Sequence, residues 1–296
     1  MPNRQHPYPD SPIAHGLSRS HLAADYDVER TVPDLPGYMR QFVERSDQTR
    51  RIFKDHSQLD VPYGPLPAQK LDIYMPQGST AAPVLVFLHG GAWKGSNKEC
   101  RASPAEVMCP KGAVWISVEY PLAPDHTIET QAESAEMALA WISANAASFG
   151  GDAHRILVMG HSAGAHLATL GLFRLLDRRP DLVDDFELLT LSGVFDLEPM
   201  IFTKVNDWLK LDPERAQRHS PISNIPARAP ALHALAGGNE PGVFLRQSLD
   251  MVGAYARSGF ASRFTALPNR NHFSVLEEFD DPASPLQRAL MEFVQR

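Results

Sequence analysis

The sequence predicts an α/β protein whose central sheet is largely parallel and covered by helices on both faces. Three observations lead there. From about residue 57 onward, short apolar runs alternate with longer stretches of helical periodicity, the pattern of strand–helix–strand crossovers. A glycine-framed serine, Gly160-His161-Ser162-Ala163-Gly164, stands between one such strand and one such helix. The candidate reactive residues Ser162, Glu240 and His272 all follow strand-like runs, and open α/β sheets place their sites at strand carboxyl ends. A chain of 296 residues with 43% hydrophobic residues is ample for one large core.

Residues 1–55 are polar with scattered proline and are expected to form an N-terminal arm ahead of a domain spanning 56–296. Within the arm, Met1–Ser20 is expected to be partly disordered. Pro36–Lys54 has helical character, with Tyr38, Phe42, Val43 and Ile52 as buried contacts, and packs near the site mouth. Lys70–Tyr74, Val84–Leu88 and Ala113–Tyr120 read as strands. Thr127–Ser148 reads as a helix with Ile128, Ala132, Ala135, Ala138, Leu139 and Ile142 along one face. Gly150-Gly151 ends it, as glycine suits a left-handed cap. The strand Ile156–Met159 and helix Ala163–Leu176 flank the serine; strands Phe186–Leu191, Ala231–Ala236 and Ala261–Leu267 follow, with helices Pro241–Ser258 and Pro285–Val294. Glu198–Ala229 breaks the alternation. Its Met200, Ile201, Phe202, Trp208 and Leu209 among prolines suggest a short helical cap over a pocket, at about 198–229.

The spacing around Ser162 has a chemical reason. A serine on a very tight strand-to-helix turn projects its oxygen above the sheet edge, and residues two away must be small because the two backbones pass close together. A serine alone is a poor nucleophile, so a histidine base and a carboxylate are expected elsewhere. His272, in Asn271-His272-Phe273 near the end of the chain, is the candidate base, chosen by order and position from 12 histidines. Glu240, in Gly237-Gly238-Asn239-Glu240 just past a strand, is the candidate acid. Asp196 is the alternative acid; it otherwise reads as a loop-capping aspartate. His89-Gly90-Gly91-Ala92-Trp93 follows the strand Val84–Leu88. Its glycines free the N–H groups of Gly90 and Gly91 to join that of Ala163 around a developing oxyanion. Trp93, Phe202, Trp208 and Phe273 are the candidate pocket residues.

His89-Gly90-Gly91-x-Trp93, the serine turn and Glu119-Tyr120-Pro121-Leu122-Ala123-Pro124 together resemble the esterase/lipase branch of α/β-hydrolases related to hormone-sensitive lipase. The order Ser162, Glu240, His272 is the order of that fold. Within the branch the chain resembles bacterial kynurenine formamidases (arylformamidases). Supporting segments are Val61-Pro62-Tyr63-Gly64, Lys70–Tyr74, Ser192-Gly193-Val194-Phe195-Asp196-Leu197, His219-Ser220-Pro221 and Asn271-His272-Phe273, covering roughly residues 55–290. Two departures stand out: His161 occupies the position where hormone-sensitive-lipase-type esterases usually carry Asp, and the acid is Glu where Asp is more frequent. The resemblance implies an α/β-hydrolase fold with a short cap and a serine hydrolase working through an acyl-enzyme. The substrate would be a small aromatic amide, as in N-formylkynurenine, or another small aryl ester or amide. A non-catalytic binding role on the same fold is the third reading.

Other functions fit poorly. The net charge of −7 and the lack of a Lys/Arg cluster weigh against nucleic-acid binding. Cys100 and Cys109 form neither a disulfide framework nor a zinc pattern, and read as thiols in a reducing compartment. His161 and His166 do not share a helix face, so no metal site is expected; His166 reads as a hydrogen-bonded core histidine. No cofactor is expected. Met1–Asp10 has three prolines and no apolar segment, so no secretory signal is expected there. No stretch approaches the roughly 20 apolar residues of a membrane span. The expectation is a cytoplasmic enzyme of small molecules, with a homodimer left open.

Overall fold

The structure, a computed structural model, describes residues 12–296. The expectations placed on Met1–Ser11 lie outside the described residues. The remaining elements, in chain order, are β1 (Pro12–Ala14), β2 (Leu17–Ser18), α1 (Arg19–Asp25), α2 (Leu35–Ile52), β3 (Ser57–Pro62), β4 (Lys70–Tyr74) and β5 (Ala82–Leu88). They continue with α3 (Ala105–Met108), β6 (Val114–Val118), α4 (Ile128–Asn145), β7 (Gly151–His161), α5 (Ala163–Arg178), β8 (Phe186–Leu191), α6 (Asn206–Leu209) and α7 (Pro213–Arg218). The chain closes with β9 (Leu232–Gly237), α8 (Gly242–Arg257), β10 (Ser262–Leu267) and α9 (Pro285–Val294).

Eight strands form one sheet in the order β10-β9-β8-β7-β5-β6-β4-β3. The run from β10 to β6 is parallel, while β4 lies antiparallel to both β6 and β3. β5 sits at the centre and every residue of it is buried, which is why it reads as an unbroken apolar run and not as an alternation. Its side chains divide between the two faces. Val84, Val86 and Leu88 join Leu139 of α4, Leu167 and Leu172 of α5 and Met251 of α8. Leu85 and Phe87 join Phe42 of α2, Met108 of α3 and Leu290 and Phe293 of α9. Burying one such leucine is worth about 1.5–3 kcal/mol, and truncating it to alanine costs about 2–5 kcal/mol once the cavity is counted.

Local chemistry fixes the element ends. Thr127 caps α4 by accepting from the Thr130 N–H. Gly150 closes the turn after α4 at φ +74°, and its N–H returns to the carbonyls of Ala146 and Ala147. β3 was not legible as a strand: Ser57–Pro62 is polar and mostly exposed, as suits a sheet edge.

Residues 12–20, expected to be partly disordered, instead form the β1–β2 hairpin and the start of α1. Long-range bonds order them. His15 bonds Asp196 at 2.8 Å, and Arg246 donates to the His15 carbonyl at 2.7 Å. Further along, Gln247 donates to the Tyr26 hydroxyl at 2.8 Å, Lys204 pairs with Asp27 at 2.7 Å, and Arg45 forks onto Asp280. In α2 the expected burial is corrected. Phe42 is buried and Tyr38 partly so, but Val43 and Ile52 face solvent, because they lie off the stripe Phe42, Ser46, Thr49 that the helix buries.

Candidate active site

β7 delivers Ser162 at its carboxyl end. The serine sits at φ +56°, ψ −123°, a backbone state that a β-carbon disfavours. The turn is clamped from several sides: the Ser162 N–H donates to the Leu191 carbonyl, and its own carbonyl accepts from Ala165 and His166. A β-carbon on Gly160 would fall 2.3 Å from the Gly164 carbonyl oxygen, and one on Gly164 would fall 2.2 Å from that of Leu88. Only glycine permits that approach, so the spacing of the motif is a packing requirement.

His272 lies on the loop after β10. Asn271 shapes this loop through its side-chain oxygen, which accepts the N–H groups of Phe273 and Ser274. His272 Nε2 stands 2.9 Å from Ser162 Oγ, and His272 Nδ1 stands 2.6 Å from Glu240 Oε2. Glu240, just beyond β9, is buried. Its other oxygen accepts from the Gly237 N–H at 2.6 Å and from the Ser192 hydroxyl. With Nδ1–H donating to the carboxylate, Nε2 is left as an acceptor for the serine proton. The chemical capacity is that of an activated serine.

Asp196 does not reach His272. It is turned to the arm, where its partner is His15. Burial opposes its ionisation, but the His15 hydrogen bond holds its pKa below the usual carboxylate value. The same bond is the main cause raising the pKa of His15.

The loop after β5 supplies the other wall. Gly91 has φ +121°, and its carbonyl turns away to accept from Lys94 and Gly95. Ala92 and Trp93 also have positive φ. Three hydrogen bonds hold this strained turn: Gln131 donates to the Trp93 carbonyl, Trp208 to the Ala92 carbonyl, and Trp93 Nε1 to His166 Nδ1 at 3.1 Å. A β-carbon on Gly90 would meet His161 Nδ1 at 2.8 Å, so this loop lies directly against the serine turn. Ala163 is the first residue of α5, so its N–H precedes the intrahelical ladder. Among the described residues, no hydrogen bond takes the N–H of Gly90, Gly91 or Ala163.

A cavity of about 310 Å³ opens over Ser162. Trp93 and Phe273 line it; Phe202 and Trp208 do not. The last two are engaged elsewhere. Trp208 packs under Lys94 at 4.6 Å and braces Ala92, while Phe202 lies beneath the guanidinium of Arg19 at 5.3 Å. Their places are taken by Met200 and Val205 from the same segment, by Val194 and Phe244, and by Tyr26, Val28, Leu35 and Met39 from the arm. Sequence reasoning missed the arm residues because no local pattern marks them. It also missed two supports of the site. Ser192, at φ +51° after β8, holds Glu240; the adjacent Ser-Gly pair past a strand was the available signal. His161 donates from Nε2 to the His272 carbonyl at 2.7 Å, and burial, with His272 as neighbour, keeps its pKa well below the ordinary imidazole value. His166 is likewise buried, donates to the His219 carbonyl, and is pushed down to about 3 by burial.

Among the described residues, His15, Asp196 and Glu198 are the one group spaced to share a cation, and they lie outside this cavity. No described helix is long and apolar enough to cross a membrane.

A family model described as BD-FAE matches residues 71–182. A kynurenine formamidase of Danio rerio is 27% identical over 291 residues, spanning 94% of this chain and 97% of that protein. Esterase LipQ of Mycobacterium tuberculosis (strain ATCC 25618 / H37Rv) is 29% identical over 95% of this chain and 68% of its own. The solved structure of a Pyrobaculum calidifontis esterase superposes with a TM-score of 0.65 at 19% identity, covering 94% of each chain.

Proposed function

From the premise that the chain is an α/β-hydrolase enzyme resembling the esterase/lipase branch and its kynurenine formamidases, we propose that it cleaves a small aryl amide or ester through an acyl-enzyme on Ser162. The observation that carries this reading is the continuous hydrogen-bonded series Ser162–His272–Glu240 at the floor of a largely apolar cavity.

In this reading Ser162 Oγ attacks the acyl carbonyl while His272 Nε2 takes its proton. The Glu240 carboxylate holds the ring in the required tautomer and stabilises the imidazolium. The N–H groups of Gly90, Gly91 and Ala163 receive the oxyanion, and one such donor is worth about 3 kcal/mol of transition-state stabilisation. His272 then protonates the leaving amine or alcohol. Water, deprotonated by the same ring, releases the acid. The described part of the arm, residues 12–55, serves as the roof of the 56–296 hydrolase domain. Two free, buried thiols suit a reducing, cytoplasmic setting.

The favoured substrate is an N-formylated aryl amine such as N-formylkynurenine. The formyl group needs little acyl space, an aryl amine leaves more readily than an alkyl amine, and the formamidase relative spans nearly the whole chain. A panel of N-formylkynurenine against p-nitrophenyl acetate, other aryl esters and anilides tests it. The highest kcat/KM on the formamide supports the reading. Efficient ester cleavage with no formamide turnover would move the enzyme to the carboxylesterases.

A further inference from the structure

Four successive carbonyls of the loop after β5 are each engaged. That of Gly90 accepts from His89 Nδ1 at 2.8 Å, and that of Gly91 from the Lys94 and Gly95 N–H groups. That of Trp93 accepts from the Ala123 N–H at 2.9 Å and from Gln131 of α4 at 2.8 Å. These partners belong to the loop itself or to neighbouring parts of the hydrolase body. The Ala92 carbonyl differs. Among the described residues no backbone N–H reaches it, and its partner is Trp208 Nε1 at 2.8 Å, from α6 of the cap, 116 positions away.

That bond falls where the backbone is strained. Gly91, Ala92 and Trp93 have φ of +121°, +51° and +60°. In Ala92 and Trp93 the β-carbon makes a left-handed backbone unfavourable, and such states persist where the surroundings over-determine them. Trp208 meets the turn twice, because the Lys94 ammonium also lies 4.6 Å from its ring centroid. The helix that carries the indole is itself pinned. Asn206 Nδ2 donates to the Leu211 carbonyl at 3.0 Å, and Asn206 Oδ1 accepts from the Leu211 N–H at 2.5 Å. Leu209 is buried in the core, and Arg215, just beyond, pairs with Glu129 of α4 at 2.8 Å.

We propose that Trp208 is a positioning residue of the oxyanion site. Its indole N–H fixes the Ala92 carbonyl and so holds the Gly90 and Gly91 N–H groups ready for the developing negative charge. Donors of this kind are effective because they are in place before the charge arrives. Trp208 does not line the cavity, so its effect passes through the turn and falls on bond cleavage, not on substrate binding. This rests on the reading of Ser162 as the reacting centre.

Trp208→Phe tests it, because it keeps an aromatic ring for Lys94 and removes the donor. One neutral hydrogen bond corresponds to about 3- to 10-fold. With aryl esters kcat should fall by that factor while KM holds. Two ketones then separate positioning from general structure. An aryl trifluoromethyl ketone adds to an activated serine: the Ser162 oxygen bonds its carbonyl carbon, the serine proton passes to His272, and the carbonyl oxygen takes the negative charge. The matching methyl ketone binds without adding. In Trp208→Phe the trifluoromethyl ketone should bind about 3- to 10-fold more weakly, and the methyl ketone as in the wild type. Unchanged kcat with unchanged trifluoromethyl ketone binding overturns the proposal. So does equal weakening of both ketones, or a loss confined to KM. If Trp208→Phe does not fold, 3-benzothienylalanine in place of Trp208 keeps the bicyclic shape, puts sulfur where the N–H was, and should give the same split. Failure of that isostere to fold also overturns the proposal, since the bond would then serve the fold and not the turn. Ser162→Ala should abolish the preference for the trifluoromethyl ketone. If the preference survives there, the reading of the reacting centre fails. If it is lost there but intact in Trp208→Phe, only the role of Trp208 fails.

Discussion

The sheet and the N-terminal arm meet at one cavity, yet they are built on different principles. The sheet's contribution is local. Ser162, Glu240, Gly90 and Gly91 each sit within three residues of a strand's carboxyl end, and His272 sits five beyond β10; strained backbone at Ser162 and Ser192 is held by the carbonyls of Leu191 and Leu235 on the neighbouring strands. The arm's contribution is non-local. Tyr26, Val28, Leu35 and Met39 reach the cavity because His15, Tyr26, Asp27 and Arg45 are tied to residues about 180 to 235 positions away. The lesson is that this chain writes its chemistry in short motifs and its pocket in long-range tethers. Mutations of the first kind should act on kcat, and mutations of the second kind on KM or on the order of the arm.

The largest effect should come from the serine turn. Ser162→Ala should lower kcat by about 10⁵–10⁶ with the thermal midpoint kept, and adding His272→Ala should cost little more, because members of such a unit are not additive. Steady-state kinetics on the single and double variants check this; independent, multiplying losses would separate His272 from Ser162. Next, Glu240→Gln should lower kcat by up to about 10⁴. Asp196→Asn should leave kcat within a few-fold, since Asp196 faces His15 and not His272. The reverse ranking of these two variants would contradict the geometry.

Smaller effects fall on the supports. Ser192→Ala removes one donor to Glu240, and a bond to a charged group is worth about 1.5–3 kcal/mol, so kcat should fall about 10- to 100-fold with little change in KM. Tyr26→Ala should raise KM several-fold while kcat holds. It opens the cavity wall, the hydrogen bond to Gln247 and the contact with Phe244 at 5.7 Å. If kcat fell and KM stayed, the arm would belong with the chemistry and the contrast between the two regions would dissolve.

The smallest effect is a pH dependence of the arm. His15 has a raised folded pKa, so its share of the tether is fully present below about pH 6.5 and is lost as pH rises through the folded value. Asp196 has a lowered folded pKa, so its share is present above about pH 4 and is lost as pH falls through the folded value. Hydrogen exchange over residues 12–26 should therefore be slowest, after correction for intrinsic rates, between about pH 4 and 6.5. His15→Gln should flatten that profile.

The fold was legible because its determinants are short-range. β5 had to be apolar throughout to sit at the sheet centre, and Gly160 and Gly164 had to be glycine to let two backbones approach. For the same reason Ser162, Glu240 and His272 could be placed by motif and order, and the structure brings all three together. The pocket was less legible. Phe202 and Trp208 looked like lining because they are aromatic and sit in the cap, but their rings are taken up by Arg19 and Lys94. β3 and the β1–β2 hairpin escaped notice because polar edges and tethers between distant residues leave no periodicity.

The central claim is that Ser162 carries the acyl group. Peptide mass spectrometry after treatment with an aryl phosphonate, which mimics the tetrahedral centre and stays attached to an activated serine, tests it most directly. The expected result is one adduct per chain, on the peptide containing Ser162, formed far more slowly in Glu240→Gln and absent from Ser162→Ala. An adduct on another residue, or labelling of Ser162→Ala at the wild-type rate, would contradict it.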